Sequence, residues 1–246
     1  MSEKSLTTPP PIQWDAFVSK EIFEKFCQDN LGPEDSRLRS WDSCYLFFQK
    51  HFDEFANGSA SEDLLHHAEA ELGFYLASFG MYRSTSALFQ RNHTIFRPII
   101  LDLFKTASEV GIRPLSDNNE IIPADKIEDL IQVLDEHFHL LITYKKTLYT
   151  KILMGVFGCL PAFDSNLSQA VQDFKDVKPK NKCIEKLNTG LKEGPKAWVD
   201  FASDTRVQEF FNKDMRPAFL AEPEKKYPIM RVIDLYFWSQ QAGKQK

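Results

Sequence analysis

The sequence predicts an all-α protein, a multi-helix globular fold. Apolar residues recur at three- and four-residue spacing along most of the chain. The strict alternation of apolar and polar residues that marks half-buried strands is hard to find. Glycine is scarce, at 10 of 246 residues, while 43% of the chain is apolar and 13% aromatic. That is enough apolar material for a sizeable core.

The elements follow in order. Residues 1–12 are polar and then proline-rich, and read as a flexible N-terminus. Residues 13–246 read as one helical domain. From Trp14 to Cys27, one helical face carries Phe17, Ile22, Phe23 and Phe26. Arg37 to Phe55 repeats the pattern with Leu38, Trp41, Tyr45, Phe48, Phe52 and Phe55, and Asn57-Gly58 ends it. Ser61-Glu62-Asp63 opens a helix running to Phe79, which Gly80 breaks. Further helices are expected over Ser84 to Arg91 and Ile95 to Val110. The stretch Arg113 to Pro123 is rich in proline, Asp and Asn, and is a candidate join between two lobes near 111–123.

Ala124 to Thr143 is strongly periodic, with Ile127, Leu130, Ile131, Leu134, Phe138 and Leu141 on one face. Helices are then expected over Thr147 to Val156, Phe163 to Phe174, Cys183 to Leu191, Trp198 to Phe211 and Pro228 to Gln241. A basic loop spans Lys175 to Lys182. The pattern amounts to about ten helices.

Charge and cysteine usage narrow the function classes. The formal net charge is −5. An acidic balance argues against indiscriminate polyanion binding and leaves room for a local basic face. No apolar run approaches a bilayer span. The N-terminus lacks a basic start followed by an apolar stretch, so a cytoplasmic protein without membrane association is expected. Cys27, Cys44, Cys159 and Cys183 form no C-x-x-C pair and read as reduced core thiols.

The stretch with most chemical content is Lys145 to Val171. A basic helix start, Lys145-Lys146, leads into an apolar helix that ends near Gly155 and Gly158. A Pro161-Ala162-Phe163 turn then delivers Asp164 to the start of the next helix. An aspartate there caps the helix and sits beside positive partial charge. Taken alone, Asp164 is an N-cap and the lysines are solvated.

This stretch resembles the catalytic region of helix-hairpin-helix DNA glycosylases. Lys146-Thr147 stands where that family has Lys-Thr at a helix start. Phe157-Gly158 stands near its aromatic-glycine pair, and Asp164 where its essential aspartate opens the next helix. Ser165-Asn166 replaces the usual Thr-His. Two features depart from the family. Leu140-Leu141-Ile142-Thr143-Tyr144 occupies the place of the glycine-rich hairpin, and no cysteine cluster for an iron–sulfur site follows.

The resemblance implies a helix-hairpin-helix glycosylase-like fold with a divergent hairpin. It also implies hydrolysis of the N-glycosidic bond of a modified or damaged base. Asp164 would be the main catalytic group and Lys146 secondary. Lys145, Lys151, Ser165 and Asn166 would contact DNA. No cofactor, metal or obligate protein partner is expected. A missing hairpin suggests a specialised substrate, such as glucosylated cytosine in phage DNA, and hence antiphage defence. A base drawn from the stack needs a wall to rest on. Trp41 and Tyr45, one turn apart, are candidates for it, with core packing as their other reading.

A second segment, Phe79 to Ser86 with Gln90 to His93, carries Arg83 and Arg91 after the Gly80 break. Its hydroxyls and free amides suit an anion, and the arginines suit DNA phosphates. An ordinary capped helix with surface arginines explains the same residues.

Two rival classes remain. Asp63/His66 and Glu136/His139 are acid–histidine pairs at helical spacing, as in di-metal carboxylate bundles. A non-catalytic helical interaction module is the other, with Tyr236-Phe237-Trp238 as a candidate partner surface or, equally, core.

Overall fold

A computed structural model describes residues 12, 19–83, 86, 88–114, 121–139, 145–176, 182–211 and 215–242. Their architecture is all-α, as the periodicity predicts. The helices are α1 Lys20–Leu31, α2 Arg39–Lys50, α3 Phe52–Ala56, α4 Glu62–Ser78, α5 Phe96–Glu109 and α6 Ala124–Phe138. The second half contributes α7 Lys145–Phe157, α8 Ser165–Lys175, α9 Lys182–Lys186, α10 Gly194–Ala202, α11 Thr205–Phe210 and α12 Ile229–Ala242. A 3-10 turn at His93–Ile95 precedes α5. Among the described residues the sole β-type pairing is an isolated bridge between Ala218 and Lys226.

Side-chain caps set several helix starts. Ser19 Oγ accepts the Ile22 N–H at 3.3 Å and Ser61 Oγ accepts the Leu64 N–H at 3.2 Å. Each satisfies one of the orphan amides of a first turn.

Two helices form the interior. Every residue of α7 from Leu148 to Phe157 is buried, so beyond its first turn this helix has no solvent face. A helix apolar all round belongs inside a domain. It packs against α2, α4 and α6. In α12, Ile229 to Phe237 are buried, and the helix lies against α1 and α8. Around these, α5 rests on α3, α4 and α6, and α10 on α6, α9 and α11. One connected core results, rich in rings: Phe104 lies within 5.0 Å of Phe55 and 5.3 Å of Phe157, centroid to centroid.

Several expectations need correction. The Arg37-to-Phe55 helix is two, because the chain turns at His51 between α2 and α3. The Trp198-to-Phe211 helix likewise breaks at Ser203, where Asp204 caps α11. Over the expected Ser84-to-Arg91 helix, the described residues form bends and turns rather than a helix. Ile22 is 55% exposed rather than on the inner face of α1. Ile12 is buried in the core, and the rest of the 1–12 terminus lies outside the described residues. Tyr236 and Phe237 are fully buried, so the aromatic C-terminal cluster is core rather than a partner surface. Ser84, Thr85, the join at 115–120, the hairpin position 140–144 and most of the basic loop, 177–181, lie outside the described residues. No described helix is long and apolar enough to cross a membrane.

Candidate functional site

The loop between α7 and α8 positions the site. Gly158 ends α7 at φ 62°, a left-handed conformation that glycine adopts without penalty. A Cβ there would also meet the Tyr45 ring at 2.9 Å and Pro228 at 3.0 Å. The chain then reverses through Cys159 to Phe163, all buried, and must find partners for its amides. Ala162 N–H donates to Asp234 Oδ1 at 3.0 Å, and Phe163 N–H to Thr150 Oγ1 at 2.8 Å. Thr147 Oγ1 donates to the Phe163 carbonyl at 3.0 Å. The loop is thereby tied to α7 on one side and α12 on the other.

Asp164 follows as the N-cap of α8. Its Oδ1 accepts the Leu167 N–H at 3.0 Å, and its Oδ2 lies 3.3 Å from Lys151 Nζ. The cap reading is thus structurally correct. It is not the whole account, because Asp164 also lines an open cleft. That cleft, about 930 Å³, is bounded by Lys145, Lys146, Thr147, Asp164, Ser165, Ser168, Gln169 and Leu191. The start of α7 and the start of α8 therefore face one space. Its volume falls within the range of small-molecule pockets.

The two lysines at the mouth differ. Lys145 Nζ is paired with Asp135 Oδ1 at 2.7 Å. That hydrogen bond and charge hold the Asp135 carboxyl below its usual range. Lys146 is exposed and its Nζ donates to Thr189 Oγ1 at 3.3 Å. Thr189 in turn lies 3.0 Å from Ser168 Oγ, which donates to the Asp164 carbonyl at 2.8 Å. A chain of hydroxyls thus runs from Lys146 back to the Asp164 turn.

Of the residues singled out by sequence, Asp164, Lys145, Lys146 and Ser165 come together here. Asn166 is half-buried one residue further on and does not line the cleft. Lys151 is not a surface cation. Its side chain is 5% exposed and its ammonium is spent on Asp164, with the Phe79 ring 4.9 Å away. It is not among the described residues that bound the cleft.

Trp41 and Tyr45 do not line the cleft either. They are buried and stacked at 4.8 Å, and Trp41 Nε1 donates to the Met154 carbonyl at 2.9 Å. Core packing, their alternative reading, is what the structure shows. None of the described residues bounding the cleft is aromatic. Arg83 and Arg91 are exposed but lie outside the cleft; Arg91 lines a second groove with Phe74, Tyr82 and His93.

Sequence reasoning missed Thr150, Asp234, Ser168 and Thr189. Thr150 carries a helical signal only, Ser168 lies inside the same stretch without a motif of its own, and Asp234 and Thr189 lie outside it. Behind the loop, Asp234 Oδ2 pairs with Arg231 at 2.7 Å. Burial pushes the Asp234 carboxyl up, and Arg231 opposes that shift.

The acid–histidine pairs are engaged elsewhere. His66 sits against Glu69 and Arg97, while His139 Nδ1 lies 3.0 Å from the Glu136 carbonyl and Glu136 Oε1 accepts from Gln132 at 3.0 Å. Among the described residues no group of three or more His, Cys, Asp or Glu is placed to hold a metal ion. Comparison with protein-family models, curated proteins and solved structures finds no match to this chain.

Proposed function

We propose that this protein is a DNA N-glycosylase-like hydrolase that removes a modified or damaged base and leaves an abasic site. The observation that supports this reading is the shared cleft: Asp164 and Lys146, at the starts of two successive helices, bound one open space. Breaking an N-glycosidic bond builds positive charge on the deoxyribose. A fixed carboxylate at that point stabilises the charge and orients the attacking water. Asp164 is the group for that task. Lys146, exposed and with its ammonium on the Thr189 hydroxyl, suits a DNA phosphate beside the extruded nucleotide.

The walls bear on the substrate. Ser165, Ser168 and Gln169 give the cleft hydrogen-bonding groups, and its volume of about 930 Å³ leaves room beyond a flat base. A bulky hydroxyl-bearing substituent, such as the sugar of glucosylated cytosine in phage DNA, suits such walls. In that case the activity serves antiphage defence. The test is a panel of unmodified DNA, alkylated DNA and phage DNA with hypermodified cytosines, scored for alkali-labile sites. Sites confined to one DNA name the substrate class. No sites on any of the three overturn the reading for those bases, and a protein-interaction role then takes its place.

A further inference from the structure

We propose that Lys151 is a positioning residue for Asp164, fixing the carboxylate that faces the cleft rather than contacting DNA. The inference rests on the reading of Asp164 as the reacting carboxylate.

The composition of α7 holds an anomaly. Between Leu148 and Phe157 every residue of α7 is buried, yet one of them is a lysine. Lysine is almost never fully buried unless paired. Its partner here is Asp164, at 3.3 Å, on the far side of the loop. A buried ion pair is weak evidence for stability, since apolar residues of similar size often do as well. A well-packed methionine would fill this position without a desolvation cost. What a methionine cannot do is hold a carboxylate oxygen.

The surroundings leave that job to Lys151. The backbone on either side of Asp164 is already fixed: Ala162 N–H on Asp234, Phe163 N–H on Thr150, and the Asp164 carbonyl on Ser168. The freedom that remains is rotation of the side chain. Oδ1 is held by the Leu167 amide and Oδ2 by the Lys151 ammonium. Two donors from two helices define the plane of the carboxylate. Lys151 is itself held, since its ammonium lies over the Phe79 ring at 4.9 Å.

The Asp234–Arg231 pair stands behind, with Arg231 over the Trp41 ring at 4.8 Å. The buried set is thus two cations and two carboxylates. Of these four, Asp164 lines the cleft.

The experiment compares wild type, Lys151→Met and Lys151→Arg in the full chain. Base release is followed in single turnover, and DNA affinity is measured across a salt series. Leu167 amide exchange is read by NMR. Lys151→Met should bind DNA with unchanged affinity and salt slope, and release base on the order of 100-fold more slowly, the scale of a small misplacement of a reacting group. Lys151→Arg should recover part of the rate. Exchange at the Leu167 amide should rise several-fold in Lys151→Met, because the carboxylate that caps it is free to swing. Should Lys151→Met fail to fold, Lys151→Gln serves the same comparison.

A Leu167 amide that exchanges as in wild type overturns the proposal. So does a loss of DNA affinity with a salt slope reduced by about 1, the mark of a phosphate contact. Wild type that releases no base overturns the glycosylase reading alone. The Leu167 measurement then still decides whether Lys151 positions Asp164.

Discussion

The Thr150 hydroxyl joins the two turns that bound the cleft. It accepts the Phe163 N–H at 2.8 Å and donates to the Lys146 carbonyl at 2.8 Å. One buried oxygen therefore couples the first turn of α7, which carries Lys146, to the residue before Asp164. Valine has nearly the same shape and no such oxygen. Thr150→Val leaves the Phe163 N–H buried and unpaired, which costs about 1–3 kcal/mol. Urea unfolding of the variant should show a lower midpoint with an unchanged m-value. An unshifted midpoint would mean that the loop finds another partner.

Gly158 is a second point of backbone commitment. At φ 62°, with the Tyr45 ring 2.9 Å from where a Cβ would stand, alanine is both strained and crowded. The left-handed conformation alone costs roughly 1–2 kcal/mol. Gly158→Ala should lower the thermal midpoint, measured by circular dichroism. Gly58, also at positive φ but with open space around it, should tolerate alanine with a smaller loss.

Much of the fold was readable in the sequence because burial follows helical period. Leu38, Trp41, Tyr45, Phe48, Phe52 and Phe55 are all buried, as their spacing requires. The break at His51 was not readable, since the same apolar face continues through α3. The site was readable in its local half. The Pro161-Ala162-Phe163 turn delivers Asp164 to a helix start, and that depends on neighbours in sequence. Its long-range half was not. Lys151 looks like any basic residue on a helix until the loop folds Asp164 back over it. Asp234, Ser168 and Thr189 carry no pattern that points to Asp164.

The thiols should behave as core. Burial pushes Cys27 and Cys159 up to about 12, and Cys44 well above its usual range. Thiolate is the reactive form. In the native state Cys44 and Cys159, both buried, should not react with a disulfide reagent at pH 8 on the time scale of minutes, the half-buried Cys27 should react more slowly than a free thiol, and all three should react at once in denaturant. Mass spectrometry of the labelled peptides separates them from Cys183. Rapid native labelling of Cys44 or Cys159 would contradict their placement.

The Lys145–Asp135 pair predicts a pH dependence. The hydrogen bond from Lys145 holds the folded-state carboxyl of Asp135 below its ordinary value of 3.8. A depressed carboxyl contributes stability above the unfolded value and loses it as pH falls through the folded one. Wild type should therefore be more stable than Lys145→Gln at pH 6. The gap should narrow below pH 4 and close at more acid pH. A gap independent of pH would mean that Lys145 acts through packing alone.

Asp164 has two roles, cap and charge partner, and they can be separated from chemistry. Asp164→Asn keeps a good cap but leaves the Lys151 ammonium buried without a counter-charge. Breaking such a pair costs about 3 kcal/mol, with the partial exposure of Asp164 placing it at the low end for buried pairs. Asp164→Asn with Lys151→Met should regain most of that stability, because both charges are gone. The double variant is therefore the folded, carboxylate-free form of this protein.

The most direct test of the account uses that pair of variants. Wild type, Asp164→Asn and Asp164→Asn/Lys151→Met are incubated in single turnover with the DNA that the substrate panel singles out, and abasic sites are counted after alkaline cleavage. The account predicts base release by wild type and none above background by either variant, including the double variant with its stability restored. Base release by the double variant at a rate near wild type would contradict the assignment of Asp164 as the reacting carboxylate.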